Sequence, residues 1–155
     1  MTGLSNSPQT VGNFVRQVGG VGAAPGQFEE PVGLAIDGDD NLFVADTWNR
    51  RIQKFNAELE FVKEWPIEGW ESQSVVNKPY LANDASGRVY VTDPENYRVL
   101  VFDGDGKFLA AFGQYGIDVS SFNLPIGVAV DRQGNIFVSD SANARIMKFA
   151  PLDKE

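Results

Sequence analysis

The sequence predicts an all-β chain assembled from repeated four-stranded units, on three observations. First, a core of Asp, then Asn three residues on, then Arg two further, recurs at a spacing of 47: Asp46, Asn49 and Arg51; Asp93, Asn96 and Arg98; Asp140, Asn143 and Arg145. A second aspartate keeps the same register at Asp37, Asp84 and Asp131, and an aromatic closes each copy at Phe55, Phe102 and Phe149. Fixed self-similarity near this length marks stacked supersecondary units. Second, the apolar runs are short, rich in β-branched and aromatic residues, and bounded by turn residues. Third, no stretch holds a 3.6-residue helical period for ten residues.

Within each unit the strands follow in order. After a proline (Pro31, Pro79 or Pro125) comes a short apolar run, VGLAID, YLAND or PIGVAVD. A turn such as Gly38-Asp39-Asp40-Asn41 or Asp131-Arg132-Gln133-Gly134-Asn135 follows, where Gly and Asn supply the positive φ of a tight connection. LFVAD, VYVTD and IFVSD are the second strands. The loop bearing Asn and Arg leads to the third strands RIQKF, RVLVF and RIMKF, and a further turn to FVKEW or FLAAF. Four-stranded antiparallel units of this length are propeller blades, stacked radially so that each is covered by its neighbours.

NLFVADTWNRRIQKF, RVYVTDPENYRVLVF and NIFVSDSANARIMKF, preceded by FEEPVGLAID and FNLPIGVAVD, resemble NHL repeats over residues 13 to 150. The namesake Asn-His-Leu reads here Asn49-Arg50-Arg51, Asn96-Tyr97-Arg98 and Asn143-Ala144-Arg145, with no histidine. The resemblance implies a propeller, mostly six-bladed in this family, used for binding proteins, RNA or small ligands, with a few enzymes among its relatives.

The register also predicts how such a segment is completed. Phe14 to Pro31 aligns without a gap to Phe108 to Pro125, so residues 13–19 are expected to be an outer strand with no blade before it. Beyond Phe149 the remaining residues are too few and too polar to supply the third blade's outer strand. Residues 1–12 are expected to be a flexible N-terminal segment, 13–19 a latch strand, 20–150 the three-blade segment and 151–155 a tail. Propellers usually need about four to eight blades. The expectation is therefore half of a six-bladed ring, closed by a homodimer through strand exchange, or else a piece whose remaining blades lie in a longer parent chain. Either would cover apolar faces and strand edges that water would otherwise meet.

Thirteen basic against 21 acidic residues give a net charge of −8, which opposes attraction to RNA or to an acidic membrane surface. Without cysteine there is no disulfide or thiolate chemistry. The opening residues lack the basic and apolar regions of a signal peptide, and no run is long and apolar enough to span a membrane, so cytoplasm is the default expectation.

With no histidine, the chain offers no His general base, no Ser-His-Asp triad and no His-ligated zinc of the kind the family's amidating lyases use. Catalytic residues are therefore expected to be none. Oxygen-ligand chemistry remains, as in calcium-dependent lactonase propellers of similar architecture, with Glu29, Asn77 and Asn123 as candidate ligands two residues before the three prolines. The alternative is that these residues simply shape the lead-in to the inner strand. No resident cofactor is expected beyond that calcium candidate.

Binding positions are read from variation between copies. Thr47, Trp48 and Arg50, then Pro94, Glu95 and Tyr97, then Ser141, Ala142 and Ala144 differ while the Asp, Asn and Arg frame is fixed. Loops on a rigid scaffold suit recognition, and Trp, Arg and Tyr are enriched at interface hot spots. Trp48, Arg50, Glu95 and Tyr97 are the candidate partner-binding residues. Trp70, in a connection from Pro66 to Lys78 that has no match in the other copies, is another, with capping of the strand that ends at Trp65 as its alternative reading. Two functions stay open: a non-enzymatic binding or scaffold module for a protein, peptide or small ligand, and a divalent-metal-dependent hydrolase or lyase.

Overall fold

The computed structural model describes residues 12–72 and 77–152. Most of the N-terminal segment, the end of the tail and part of the connection after Trp70 lie outside the described residues. Among the described residues eleven strands form three antiparallel sheets. β1 (Pro31–Ile36), β2 (Leu42–Asp46), β3 (Arg51–Phe55) and β4 (Phe61–Pro66) make the first blade in sequential order. β5 (Leu81–Asn83), β6 (Val89–Asp93), β7 (Arg98–Phe102) and β8 (Phe108–Phe112) make the second. β9 (Pro125–Val130), β10 (Ile136–Asp140) and β11 (Arg145–Phe149) make a three-stranded third, as the sequence predicts. Residues 13–19 carry no strand pairing, so the expected latch strand is present as chain but not as a paired strand.

The aspartates at 37, 84 and 131 close the hairpins between first and second strands. Asp37 Oδ1 accepts the backbone N–H groups of Asp39 and Asn41, Asp84 Oδ1 those of Ser86 and Arg88, and Asp131 Oδ1 those of Gln133 and Asn135. Each side chain thus mimics a backbone turn. Asp103 does the same for Asp105 and Lys107 in the turn before β8, so of that acidic pair only Asp105 is solvated, while Asp39 and Asp40 are both exposed.

Alternation along each strand sends side chains to opposite blade faces. On the second blade Val89, Val91, Leu100 and Phe102 pack toward Phe43, Ile52 and Trp65 of the first. Tyr90, Val99 and Val101 pack toward Phe122, Ile136 and Val138 of the third. The middle blade is covered on both faces, and each such buried side chain is worth about 1.5–3 kcal/mol. The innermost strands β1, β5 and β9 stand side by side. Gly33 permits that approach, since a Cβ there would lie 2.9 Å from the Pro79 carbonyl oxygen.

Pairing also fixes the register between blades. Leu34 faces Val44, Leu81 faces Val91 and Val128 faces Val138, each pair 47 residues from the last. Counting back three from Leu34 and Val128 reaches Pro31 and Pro125, but from Leu81 it reaches Lys78, one residue before Pro79. Asn77 therefore corresponds to Glu30 and Leu124, not to Glu29 and Asn123. This corrects the expected equivalence of the three candidate ligands. The position that does correspond, residue 76, lies outside the described residues.

Candidate functional site

The turns between second and third strands, Thr47–Asn49, Pro94–Asn96 and Ser141–Asn143, are single 3-10 turns. The residue after each takes a left-handed conformation: Arg50 at φ 56°, Tyr97 at φ 58° and Ala144 at φ 52°. Such a backbone is costly for a residue with a Cβ, and the frame holds it in place. Backbone bonds Trp48 N–H to Glu29 O and Ala142 N–H to Asn123 O put these turns on the same face as the lead-in to the inner strands.

The frame is spent on itself. Asp46, Asp93 and Asp140 are fully buried, and Arg51, Arg98 and Arg145 donate through Nε to one carboxylate oxygen of each at 2.7–2.8 Å. Asn49, Asn96 and Asn143 donate to the same aspartates and to the carbonyl oxygens of Gly22, Gly69 and Gly116. The guanidinium groups reach onward into the connection that precedes each blade: Arg51 to the Ala23, Ala24 and Gln27 carbonyls, Arg98 to the Glu68 carbonyl, Arg145 to the Ile117, Asp118 and Ser121 carbonyls. The ladder of Arg–Asp contacts ties loops and blades together.

Glu29 and Asn123 serve the same frame through their backbones, each N–H donating to Oδ1 of the neighbouring buried aspartate at 2.8 and 2.6 Å. Among the described residues no group of three or more Asp and Glu side chains is arranged to hold a metal ion.

The displayed residues lie differently. Trp48 is 46% exposed, and Arg50 is exposed beside it. Together with Asn49, Pro66, Ile67, Glu68 and Glu71 they line an open cleft of about 630 Å³ between the first blade's turn and the connection that leaves β4. Glu95 is half-buried, and Tyr97 stands edge-on to Tyr115 with ring centroids 5.0 Å apart, on the next connection. The structure brings Trp48 and Arg50 into one cleft and leaves Glu95 and Tyr97 outside it. Trp70 is corrected: only 2% exposed, it packs in the core with Phe43, Ile52 and Leu81 and caps the first blade instead of facing solvent.

Sequence reasoning missed Lys78. It holds the place of Pro31 and Pro125, it is 7% exposed, and its ammonium lies 5.1 Å from the centroid of the Trp48 ring. Lys78 Nζ, Trp70 Nε1 and Thr47 Oγ1 are buried without a hydrogen-bond partner among the described residues. None of the three lines the cleft itself. The available signal was the one-residue slip of Pro79 against the 47-residue register. Glu68 and Glu71 carried no signal, because their connection has no repeat equivalent.

Two four-stranded sheets and a three-stranded one, stacked side by side through their first strands, define a β-propeller segment. Two of its blades match the NHL repeat, the first at residues 28–55 and the third at residues 122–149. The two matches lie 94 residues apart (122 − 28), twice the period, in the first and third blades, and bracket the second. A "B-box type zinc finger protein ncl-1" of Caenorhabditis elegans is 49% identical over 43 residues, 28% of this chain and 5% of that protein. A Bacteroides thetaiotaomicron protein of unknown function superposes with TM-score 0.60 at 23% identity, over 71% of this chain and 30% of that one. Virginiamycin B lyase from Staphylococcus aureus, solved with quinupristin as a variant inactivated by replacing a histidine with alanine, gives TM-score 0.54 at 11% identity, over 80% and 42%. At these identities the two structures share the fold alone. The chain spans less than half the length of each of these three proteins.

Proposed function

We propose that the chain is a non-enzymatic recognition module that binds a protein, peptide or small ligand through its loop face, with a second copy completing a six-bladed ring. The observation that carries this reading is the cleft of about 630 Å³, where Trp48 and Arg50 stand exposed while the surrounding Asp, Asn and Arg side chains are consumed internally. Ligand clefts commonly fall in this size range, and Trp and Arg are the side chains that most often dominate binding energy. The net charge of −8 argues against RNA. Among the described residues no helix is long and apolar enough to cross a membrane.

The second copy is supported by the surfaces at the two ends of the blade stack. Leu34 and Ile36 on the first blade are 60% and 62% exposed, and Ile146 on β11 is 72% exposed. A two-fold assembly covers both surfaces with one repeated interface. Further blades of a longer chain would cover them equally, and a one-chain mass for the isolated protein would favour that alternative.

The competing reading, a divalent-metal-dependent hydrolase or lyase, draws on the enzymatic relative among the similar folds. Thermal melting with millimolar calcium separates the two. The recognition reading predicts an unchanged melting temperature. A site filled at 100 times its dissociation constant would add about 2.7 kcal/mol, and a rise of that size lost in Glu29→Gln or Asn123→Ala would establish the metal site instead.

A further inference from the structure

The open edge of β11 and the unpaired chain at 14–19 match each other rung by rung. Phe14, Phe61 and Phe108 are spaced by 47, as are Val18, Trp65 and Phe112. In the first blade β3 pairs with β4 so that Ile52 faces Trp65 and Phe55 faces Phe61. In the second, β7 pairs with β8 so that Val99 faces Phe112 and Phe102 faces Phe108. Each pairing skips one residue at the aromatic rung, which seats the outer ring edge-on to the third-strand ring: Phe61 on Phe55 at 6.1 Å, Phe108 on Phe102 at 5.9 Å. On the third blade Phe149 touches Phe112 and Phe122 but, among the described residues, has no such outer ring. An apolar cleft of about 420 Å³ adjoins it, lined by Phe112, Val119, Ile136, Phe149 and Leu152. Phe14 and Val15 meanwhile stand 76% and 87% exposed.

The chain after residue 19 already has the form of a connection leaving an outer strand. Val21 bridges Phe28 just as Tyr115 bridges Phe122, 94 residues on. Gly22 N–H bonds Phe28 O, and Gly116 N–H bonds Phe122 O, both at 3.1 Å. Arg16 donates to the Glu58 carbonyl at 2.8 Å and holds the segment beside the first blade. Residues 14–19 therefore hold the register place of an outer strand. Among the described residues, 14–19 pair with no third strand and β11 pairs with no outer strand.

We infer that β11 takes residues 14–19 of a second copy of this chain as its fourth strand, antiparallel, with Phe14 opposite Phe149 and Val18 opposite Ile146. The inference rests on the two-copy reading above and adds the register. The same pairing made reciprocally covers both edges. Arg16 then faces Lys148, a like-charge rung that the fold already accommodates where Lys54 faces Lys63, because Lys54 turns away to the Gly104 carbonyl.

The chain has no cysteine, which makes disulfide trapping clean. Chains carrying Val18→Cys and chains carrying Ile146→Cys are mixed, oxidised and resolved by mass, with Gly20→Cys replacing Val18→Cys as the off-register control. Sedimentation of the unmodified chain and of Phe14→Asp at micromolar concentration accompanies this. The expected result is a sedimenting mass of twice 17.0 kDa, a covalent pair from the Val18 and Ile146 variants but not from the control, and one-chain mass for Phe14→Asp. A dimer that survives Phe14→Asp and does not cross-link overturns the register while leaving the two-copy reading intact. A one-chain mass for the unmodified protein overturns both.

Discussion

Arg51 Nε donates to Asp46 Oδ2 at 2.8 Å, and the accepting carboxylate is fully buried. The guanidinium is nearly as buried, and its remaining donors reach Glu64 and three carbonyl oxygens of the preceding connection. Removing one partner of a buried pair strands the other, at a cost of about 3–5 kcal/mol. Asp46→Ala is expected to lose that much in chemical denaturation. Arg51→Ala is expected to cost more than Arg98→Ala, whose side chain is 31% exposed and makes fewer bonds among the described residues. Equal losses at the two arginines would show that the frame's contribution is not set by burial.

Lys78 presents the opposite case, a buried ammonium with an aromatic face and, among the described residues, no hydrogen-bond acceptor. The face of a Trp ring offsets about 0.5–2 kcal/mol, whereas removing an ion from water costs several. Lys78→Met keeps the length of the side chain and removes the charge. The free protein is expected to gain on the order of 1 kcal/mol or more, read as a higher denaturation midpoint at unchanged slope. A clear loss would mean that the ammonium is paired in the free state.

The pH dependence follows from the hairpin aspartates and Tyr90. Burial opposes ionisation of Asp84, but the Tyr90 and Ser86 hydroxyls and two backbone N–H groups more than offset it and hold the carboxyl below its ordinary value. Asp131 is lowered chiefly by the Asn135 side chain, and Asp118 by the Ser121 hydroxyl. A folded-state pKa below the unfolded one means that the unfolded chain binds more protons. Stability from these groups is present above their ordinary value of 3.8 and is lost as pH falls below it through the folded values. Tyr90 has the reverse sign: burial, then the bond to Asp84, pushes it from 10.0 to about 12. Its contribution is intact below pH 10.0 and is lost as pH rises through about 12. Tyr90→Phe is expected to cost about 1–3 kcal/mol by leaving Asp84 one donor short, and to raise the Asp84 pKa in an NMR titration. An unmoved Asp84 would mean that the hydroxyl does not hold it.

The fold was legible because repetition restates each element three times. Asp46, Asn49 and Arg51 with their counterparts mark the turns, and the hydrophobic alternation of VYVTD and RVLVF marks a blade covered on both faces. Lys78 was not legible, because a proline is the stronger local signal and Pro79 drew the alignment one residue away from the register that the β5–β6 pairing reveals. The burial of Trp70 was equally hidden. It depends on Phe43, Ile52 and Leu81, which only the stacking of two blades brings together. Trp48 and Arg50 could be singled out as variable residues on a fixed frame. Their meeting with Glu68 and Glu71 depends on the course of a connection that no repeat predicts.

The central claim is that the cleft around Trp48 and Arg50 is the recognition surface. Peptides selected from a random library for binding to the intact protein provide the probe, and their affinities for Trp48→Ala and Arg50→Ala, with Asp39→Ala on the opposite rim as control, provide the measurement. Hot-spot truncations cost about 2 kcal/mol or more, roughly 30-fold in dissociation constant. The account predicts a loss of that size for both cleft variants and none for Asp39→Ala. Selected peptides that bind all three variants as tightly as the unaltered protein would contradict it.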